Sequence, residues 1–390
     1  MLRFDTAGES HGECLVATLS GLPAGVPVPV EAINRELRRR QQGYGRGGRM
    51  KIETDRADLV AGIRHSQTIG APIAIVIRNS DWQNWTETLP VESYEGAEEK
   101  KKPVLRPRPG HADLAGALKY DMHDARYILE RASARETAAR VAAGALAKIF
   151  LDQFGVRVLS HVVATGGVRL DRPATWEEIA ALNEKEEVLL GCVDAAVELR
   201  MKEAVDEAYR TGDTVGGVFE VVAHNVPPGL GSHISWDQRL DGRLAQALVS
   251  IQAVKGVEIG DAIEAAASFG SRVQDTIHYD REARRFTRGS NRAGGIEGGM
   301  TNGQNLVLRG FLKPISTLRR PLESVDFATR EPALAAYERS DVCVVRAAGV
   351  IGEAMTAFVL AQAFLEKFGG DSLCETRRNF DAYLQQVKEF

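Results

Sequence analysis

A chain of 390 residues with 44% hydrophobic content has enough apolar material for a sizeable core, in one large domain or two average ones. Its formal net charge of −4 and pI of about 6.1 exclude an overall pull toward nucleic acid or an anionic membrane. The four cysteines (Cys14, Cys192, Cys343, Cys374) lie far apart with no metal or redox spacing, which favours a reducing compartment. The polar start MLRFDTAGESHGE is unlike a signal peptide, and no uncharged apolar run approaches membrane-spanning length, so a cytoplasmic protein is expected. The basic residues cluster. Arg38, Arg39, Arg40, Arg46, Arg49 and Lys51 fall in one stretch, and Lys100, Lys101, Lys102, Arg106 and Arg108 in another, as expected of loops that meet a local anionic ligand.

In chain order, Gly8-Glu9-Ser10-His11-Gly12 has the literal spacing of a serine-hydrolase elbow. The elbow needs a core strand before it and a helix after it; here seven residues precede and a strand follows. What survives is a serine and a histidine between glycines, where backbone can approach a ligand closely. Residues 15–19 read as a buried strand closed by a Gly21-Leu22-Pro23 turn. Residues 30–40 have helical apolar spacing at Ile33 and Leu37, and a glycine-rich loop, 41–49, follows. Gly43-Tyr44-Gly45-Arg46-Gly47-Gly48-Arg49 resembles RNA-binding arginine-glycine segments, although it is a single copy in an acidic chain. The other reading is a loop that lowers Arg46 and Arg49 onto a multiply charged small molecule, with Arg40 at the helix end. The planar guanidinium fork suits carboxylate and phosphate.

Residues 73–77 form another apolar, β-branched strand, and 79–111 lack sustained periodicity, as a functional or mobile loop does. That loop ends in Arg106-Pro107-Arg108-Pro109-Gly110-His111-Ala112-Asp113, which opens a helix. His111 sits near the positive end of that helix, placed as a proton donor. Residues 133–154 read as a helix, with Ser133 and Glu136 at capping-box spacing, an alanine-rich interior and Gly155 at the C-cap. Gly294-Gly295-Ile296-Glu297-Gly298-Gly299-Met300 leads into a strand, which argues against a dinucleotide fingerprint. Lys313-Pro314-Ile315-Ser316-Thr317 offers a cation and two hydroxyls for a phosphate, and Asp341 lies at the edge of an apolar run.

Two internal matches suggest a repeat. Gly62-Ile63, Thr68 and Gly70 before one strand match Gly295-Ile296, Thr301 and Gly303 before another. Tyr127 and Glu130-Arg131-Ala132-Ser133 resemble Tyr337-Glu338-Arg339-Ser340-Asp341, each leading into an alanine-rich helix. A single domain of two α/β halves, about 1–155 and 190–369, is expected, with helices packed on sheets. Arg131 and Ser133 should then face the same region as Arg339 and Asp341.

Together these blocks resemble chorismate synthase, over residues 3 to about 369. Gly8-Glu9-Ser10-His11-Gly12 through Gly21-Leu22-Pro23, Glu130-Arg131-Ala132-Ser133-Ala134-Arg135-Glu136-Thr137, and Arg339-Ser340-Asp341 through Glu353-Ala354 carry the likeness. The resemblance implies a β-α-β sandwich with antiparallel sheets, assembled as a homotetramer (a dimer of dimers), and the 1,4-elimination of phosphate from 5-enolpyruvylshikimate 3-phosphate. It implies reduced FMN as cofactor with no net redox change, and leaves open whether NADPH reduces the flavin in place or the flavin arrives reduced. His11 would protonate the departing phosphate with Ser10 in the relay, His111 would protonate the reduced flavin, and Asp341 would take a proton by way of flavin N5. Arg40, Arg46, Arg49, Arg108, Arg135 and Arg339 would neutralise the substrate's carboxylates and phosphate. FMN contacts carry over to Arg131, Ala132, Ser133, Gln252, Ala253, Gly298, Lys313, Pro314, Ile315, Ser316, Thr317 and Arg339. Neither a nucleic acid nor a membrane is expected as a partner. The competing readings are an FMN-dependent oxidoreductase with net redox output, and an RNA-binding protein.

Overall fold

The computed structural model describes residues 1–48, 54–338 and 340–390. Alternation of apolar and polar residues builds its first sheet. Leu15, Ala17 and Leu19 on the strand Cys14–Ser20, and Ile73, Ile75 and Ile77 on Ile73–Arg78, are all buried. The antiparallel register sets Leu15 opposite Ile77, Ala17 opposite Ile75 and Leu19 opposite Ile73, giving one continuous apolar face. Arg3–Ala7 and Asp58–Ala61 complete this sheet, in the order Arg3–Ala7, Cys14–Ser20, Ile73–Arg78, Asp58–Ala61. The second sheet runs Arg157–Thr165, Gly217–His224, Leu306–Leu312, Val254–Ile259, with the short Val168–Arg169 outside the first of these. Every pairing in both sheets is antiparallel.

The helix Thr137–Asp152 packs on the first sheet and Val345–Phe368 on the second, and the two helices pack against each other between them. Val30–Gln41 lies against both, and Leu240–Val249 against Val345–Phe368. The result is a β-α-β sandwich whose main core runs through all layers. Small residues set the spacing at the centre: a Cβ at Gly144 would lie 2.4 Å from the Cβ of Ala354. Phe219 fills a slot floored by glycines, since Cβ atoms at Gly310 and Gly352 would sit 2.3 and 2.6 Å from its ring.

Val345–Phe368 is the one helix among the described residues long and apolar enough to cross a membrane, and nearly all of it is buried inside the fold. It carries Glu353, which is fully enclosed and accepts from Arg39 Nη1 and Nη2 at 2.7 Å each, from Lys148 Nζ at 2.6 Å and from Ser160 Oγ at 2.6 Å. Burial works against that carboxylate, but Arg39 and Lys148 hold its pKa well below the usual range.

The two sheets share one strand order when Arg3–Ala7 is set beside Arg157–Thr165, Cys14–Ser20 beside Gly217–His224, Ile73–Arg78 beside Leu306–Leu312, and Asp58–Ala61 beside Val254–Ile259. The glycine and threonine matches occupy like positions. Gly62 and Gly295 both have φ of +80°, and a Cβ on either would strike the backbone of the residue just before the next strand and of that strand's first residue. Thr68 Oγ1 donates to Pro23 O at 2.6 Å and accepts from Val26 N at 2.9 Å; Thr301 Oγ1 donates to Pro227 O at 2.6 Å and accepts from Leu230 N at 2.9 Å.

One local expectation is corrected. The helix read over 133–154 begins as a 3-10 turn, Ala134–Glu136, and is α-helical only from Thr137 to Asp152. Ser133 does cap, accepting from Arg135 N at 3.3 Å. No capping box forms, because the Glu136 carboxylate turns to Arg140 Nε at 2.9 Å and Thr6 Oγ1 at 2.8 Å.

Candidate active site

A cavity of about 760 Å³ gathers most of the residues singled out in the sequence. Ser10, His11, His111 and Asp341 line it, as do Arg40, Arg46, Arg108 and Arg135, and Ala132, Ser133, Gln252, Ala253, Lys313, Ile315, Ser316 and Thr317. Arg131, Gly298 and Pro314 do not. The Arg131 guanidinium donates to Thr6 O at 2.9 Å and Gly8 O at 3.1 Å, while Gly298 sits in the turn of the Ile296–Glu297/Met300–Thr301 hairpin. Arg49 and Arg339 lie outside the described residues.

His11 follows the first strand and is fixed from the helix Arg126–Ala132. Its backbone N–H donates to Glu130 Oε2 at 2.8 Å, and its Nδ1 lies 2.9 Å from Glu130 Oε1. Trp85 stacks on the imidazole at a centroid separation of 4.0 Å and 25°. Ser10 N donates to Glu130 O at 3.0 Å, and Ser10 Oγ donates to Ser133 Oγ at 3.0 Å. The Glu130 side chain is wholly buried. Burial alone would raise its pKa, yet the hydrogen bond and charge of His11, with Arg126 nearby, hold it below the ordinary value.

His111 belongs to a second such group. Its Nδ1 lies 2.5 Å from Asp113 Oδ1, and Asp113 also accepts from Arg108 Nε at 2.8 Å and Arg108 Nη2 at 3.0 Å. Arg108 Nη1 reaches Thr317 Oγ1 at 2.9 Å, tying the long loop to the strand end after Leu312. Burial opposes the Asp113 charge, but His111 and Arg108 hold its carboxyl far below the usual carboxylate range.

Asp55 organises two more cations. Arg135 Nη1 contacts both its oxygens at 2.6 and 2.8 Å, and Arg40 Nη1 lies at 3.5 Å. Arg135 Nε donates to Asn79 Oδ1 at 2.9 Å, and Arg40 Nε to Thr137 Oγ1 at 2.9 Å. Burial, with the neighbouring Arg135 and Arg46 charges, brings the Arg40 guanidinium down to about 10 despite Asp55. It stays charged at neutral pH, in a site rich in positive charge. The glycine-rich loop folds inward: Arg46 Nε donates to Asp341 Oδ2 at 3.1 Å and Gly47 N to Asp341 Oδ1 at 2.5 Å, while Gly45 packs against Val205 and Cys343. Its glycines thus let the backbone meet Asp341, and the loop forms a cavity wall.

Sequence reasoning missed Glu130, Trp85, Asp113, Asp55 and Asn79. Asp113 and Glu130 stand inside the quoted motifs, and a carboxylate two residues from His111 was the available signal. Asp55 had none, because Arg135 lies 80 residues from it in sequence.

The cavity suits a flavin on several counts. Gln252 Oε1 is buried with no hydrogen-bond partner among the described residues, so it can accept from a ring N–H. Beside it Ala253 takes φ of +69°, a strained value for a non-glycine residue, and its carbonyl accepts from Lys313 N at 3.0 Å. Lys313 Nζ donates to Ser316 Oγ at 2.8 Å and Gly110 O at 3.0 Å, grouping a cation with a hydroxyl as phosphate binding requires. Leu129, Ala132 and Val344 supply apolar wall for a ring system.

A family model for chorismate synthase matches residues 2–365. The chain is 76% identical over 390 residues to the chorismate synthase of Solibacter usitatus, with all of both chains covered. It is 52% identical over 396 residues to that of Aquifex aeolicus, covering 100% of this chain and 99% of the relative. A crystal structure of chorismate synthase superposes with a TM-score of 0.79 at 43% identity, covering 100% of this chain and 99% of the other. The chain belongs to the chorismate synthase family, the reduced-flavin-dependent lyases of aromatic amino-acid biosynthesis that eliminate phosphate from 5-enolpyruvylshikimate 3-phosphate to give chorismate.

Proposed function

We propose that this cavity carries out the family's elimination with His11 as the acid that protonates the departing phosphate, Ser10 in its relay, His111 as a proton donor facing the flavin, and Asp341 as the proton acceptor. The observation that carries this reading is the convergence of two carboxylate-held imidazoles, four arginines and Lys313 on one cavity. Arg40, Arg108 and Arg135 stand ready for the substrate's carboxylates and phosphate, with Arg46 bridging to Asp341 and Arg49 and Arg339 added from the resemblance. Lys313, Ser316 and Thr317 would hold the FMN phosphate, with Ala132, Ser133, Gln252, Ala253 and Ile315 along the ring; Arg131, Gly298 and Pro314 rest on the resemblance alone. When bound, reduced FMN supplies transient electron density that eases cleavage of the carbon–oxygen bond to phosphate. The protein's own part is electrostatic and protonic. It neutralises three anionic groups, delivers a proton to the leaving group and accepts the one lost from the ring.

NADPH is proposed as an external reductant, the assembly as a homotetramer, and the location as cytoplasmic. We also infer that the domain is internally duplicated, with halves near 1–155 and 190–369. The shared strand order and the Thr68/Thr301 hydrogen bonds support that inference, and would extend the second half back to Arg157–Thr165.

The test is anaerobic turnover with photoreduced FMN, with and without NADPH, on the native enzyme and on His11→Ala. The variant should keep its FMN affinity and lose ~10²–10⁴-fold in kcat. Unchanged turnover would remove His11 from the chemistry. Turnover of oxidised FMN on NADPH alone would show that the enzyme reduces its own flavin.

A further inference from the structure

We propose that Glu130 is the positioning residue of His11, fixing the ring as the tautomer with hydrogen on Nδ1 and so assigning Nε2 to the cavity. This rests on the reading of His11 as the acid. Glu130 meets His11 twice: it accepts from the backbone N–H at 2.8 Å, and its Oε1 lies 2.9 Å from Nδ1. One rigid carboxylate therefore sets both the main chain and the ring of the same residue. Its own carbonyl accepts from Ser10 N at 3.0 Å, which secures the preceding residue as well. Trp85 lies flat on the imidazole and blocks rotation of the ring out of this plane. Trp85 is itself anchored by Nε1 donating to Asp81 Oδ2 at 3.2 Å.

The charged groups around the pair leave Glu130 as the imidazole's carboxylate. Arg126 Nη1 lies 3.5 Å from Glu130 Oε1 and its Nη2 binds Glu338 at 2.9 Å. Lys102 Nζ and the Arg126 guanidinium lie 4.4 and 5.5 Å from the Trp85 ring centroid. Against burial, the hydrogen bonds and charge of His11, with Arg126, hold Glu130 below the ordinary carboxylate value, and an ionised carboxylate is an acceptor only. The hydrogen between it and Nδ1 therefore belongs to the ring. In the step proposed for His11, the Nε2–H bond breaks and an O–H bond to the leaving phosphate forms. The electron pair of the broken bond stays on Nε2, and the Nδ1 hydrogen stays in place. The neutral ring left behind has the free nitrogen on the cavity side, where it can be reprotonated.

The experiment uses the full-length enzyme. Ring ¹⁵N–¹H correlation spectra of histidine-labelled protein, assigned with His11→Ala and followed into alkaline pH, should show His11 protonated at Nδ1. An Nε2–H tautomer overturns the proposal, and this readout needs no Glu130 variant to fold. In Glu130→Gln one carboxylate oxygen becomes an NH2 donor; with the remaining oxygen kept on the His11 backbone N–H, that donor stands where Oε1 meets Nδ1 and favours the opposite tautomer. This variant should lose about 10²-fold or more in kcat, leave FMN affinity and substrate KM within about threefold, and show mixed tautomers at His11. The double variant with His11→Ala should be no slower than His11→Ala alone. Full activity in Glu130→Gln alongside an inactive His11→Ala would defeat the role of Glu130 and spare that of His11. Full activity in His11→Ala would defeat the acid itself, whichever tautomer the spectrum reports.

Discussion

A guanidinium held on two sides by fixed acceptors is not interchangeable with an ammonium. Arg135 meets Asn79 through Nε and Asp55 through Nη1, all three groups being buried. Arg135→Lys supplies one flexible point donor in place of that fork, leaving Asp55 or Asn79 short of a partner. Unfolding free energy should fall by about 1–3 kcal/mol in urea titration. Substrate KM should rise about tenfold, the equivalent of roughly 1.4 kcal/mol. A variant unchanged in both would show that the fork has no part in holding the anion. This residue also marks how far the site could be read from sequence. Arg46, Arg108, His11 and His111 announced themselves, because glycines or prolines beside them marked ligand-facing loops, whereas Arg135 has no such neighbours. Their acidic partners did not, since Asp55 and Glu130 acquire meaning only when folding brings distant segments together.

The central helices touch through small side chains, and that spacing has consequences for what each position tolerates. Gly144 has the Ala354 Cβ and backbone within 2.4 to 2.7 Å of where a Cβ would stand, whereas nothing lies within 4 Å of one at Gly242 on Leu240–Val249. Gly144→Val should therefore lower stability by at least about 1–3 kcal/mol, through overpacking. Gly242→Ala should raise it by about 0.4–1 kcal/mol, by restricting the unfolded chain. Calorimetric melting of the two variants checks both signs. Period-based reading located Val30–Gln41, Cys14–Ser20 and Ile73–Arg78 within a residue or two, because their buried positions follow one repeat. It placed the start of the Thr137–Asp152 helix too early, because the destination of the Glu136 carboxylate is decided by Arg140, Thr6 and Gln252. Order across the sheets was beyond reach of pattern alone, although the paired Gly62 and Gly295 signals pointed to like turns in both halves.

For the molecule as a whole, pH acts through enclosed carboxylates. Glu130, Asp113, Glu136, Glu220 and Glu353 are all held below their ordinary values, against burial, by cationic partners and hydrogen bonds. A carboxylate whose folded pKa is depressed stabilises the fold above its unfolded pKa, and that stabilisation is lost as the pH falls toward the folded value. The melting temperature should thus be nearly level from neutral pH to about 5 and drop steeply below about 4. A melting temperature that climbed on acidification from 5 to 3 would contradict this account of the buried charges. The helix Val345–Phe368 adds a constraint that equilibrium measurements miss. Both sheets and Thr137–Asp152 leave the ribosome before it does, with the second sheet's inner face still lacking its central helix. A nascent chain stalled short of residue 345 has Thr137–Asp152 to lay on the first sheet, but lacks the helix that packs on Arg157–Thr165 and Gly217–His224 of the second. The segment that arrives to close the sandwich is itself long and oily enough to suit a bilayer. It finds its place against Thr137–Asp152 and the second sheet, so the last buried layer of the sandwich is also the last to be made.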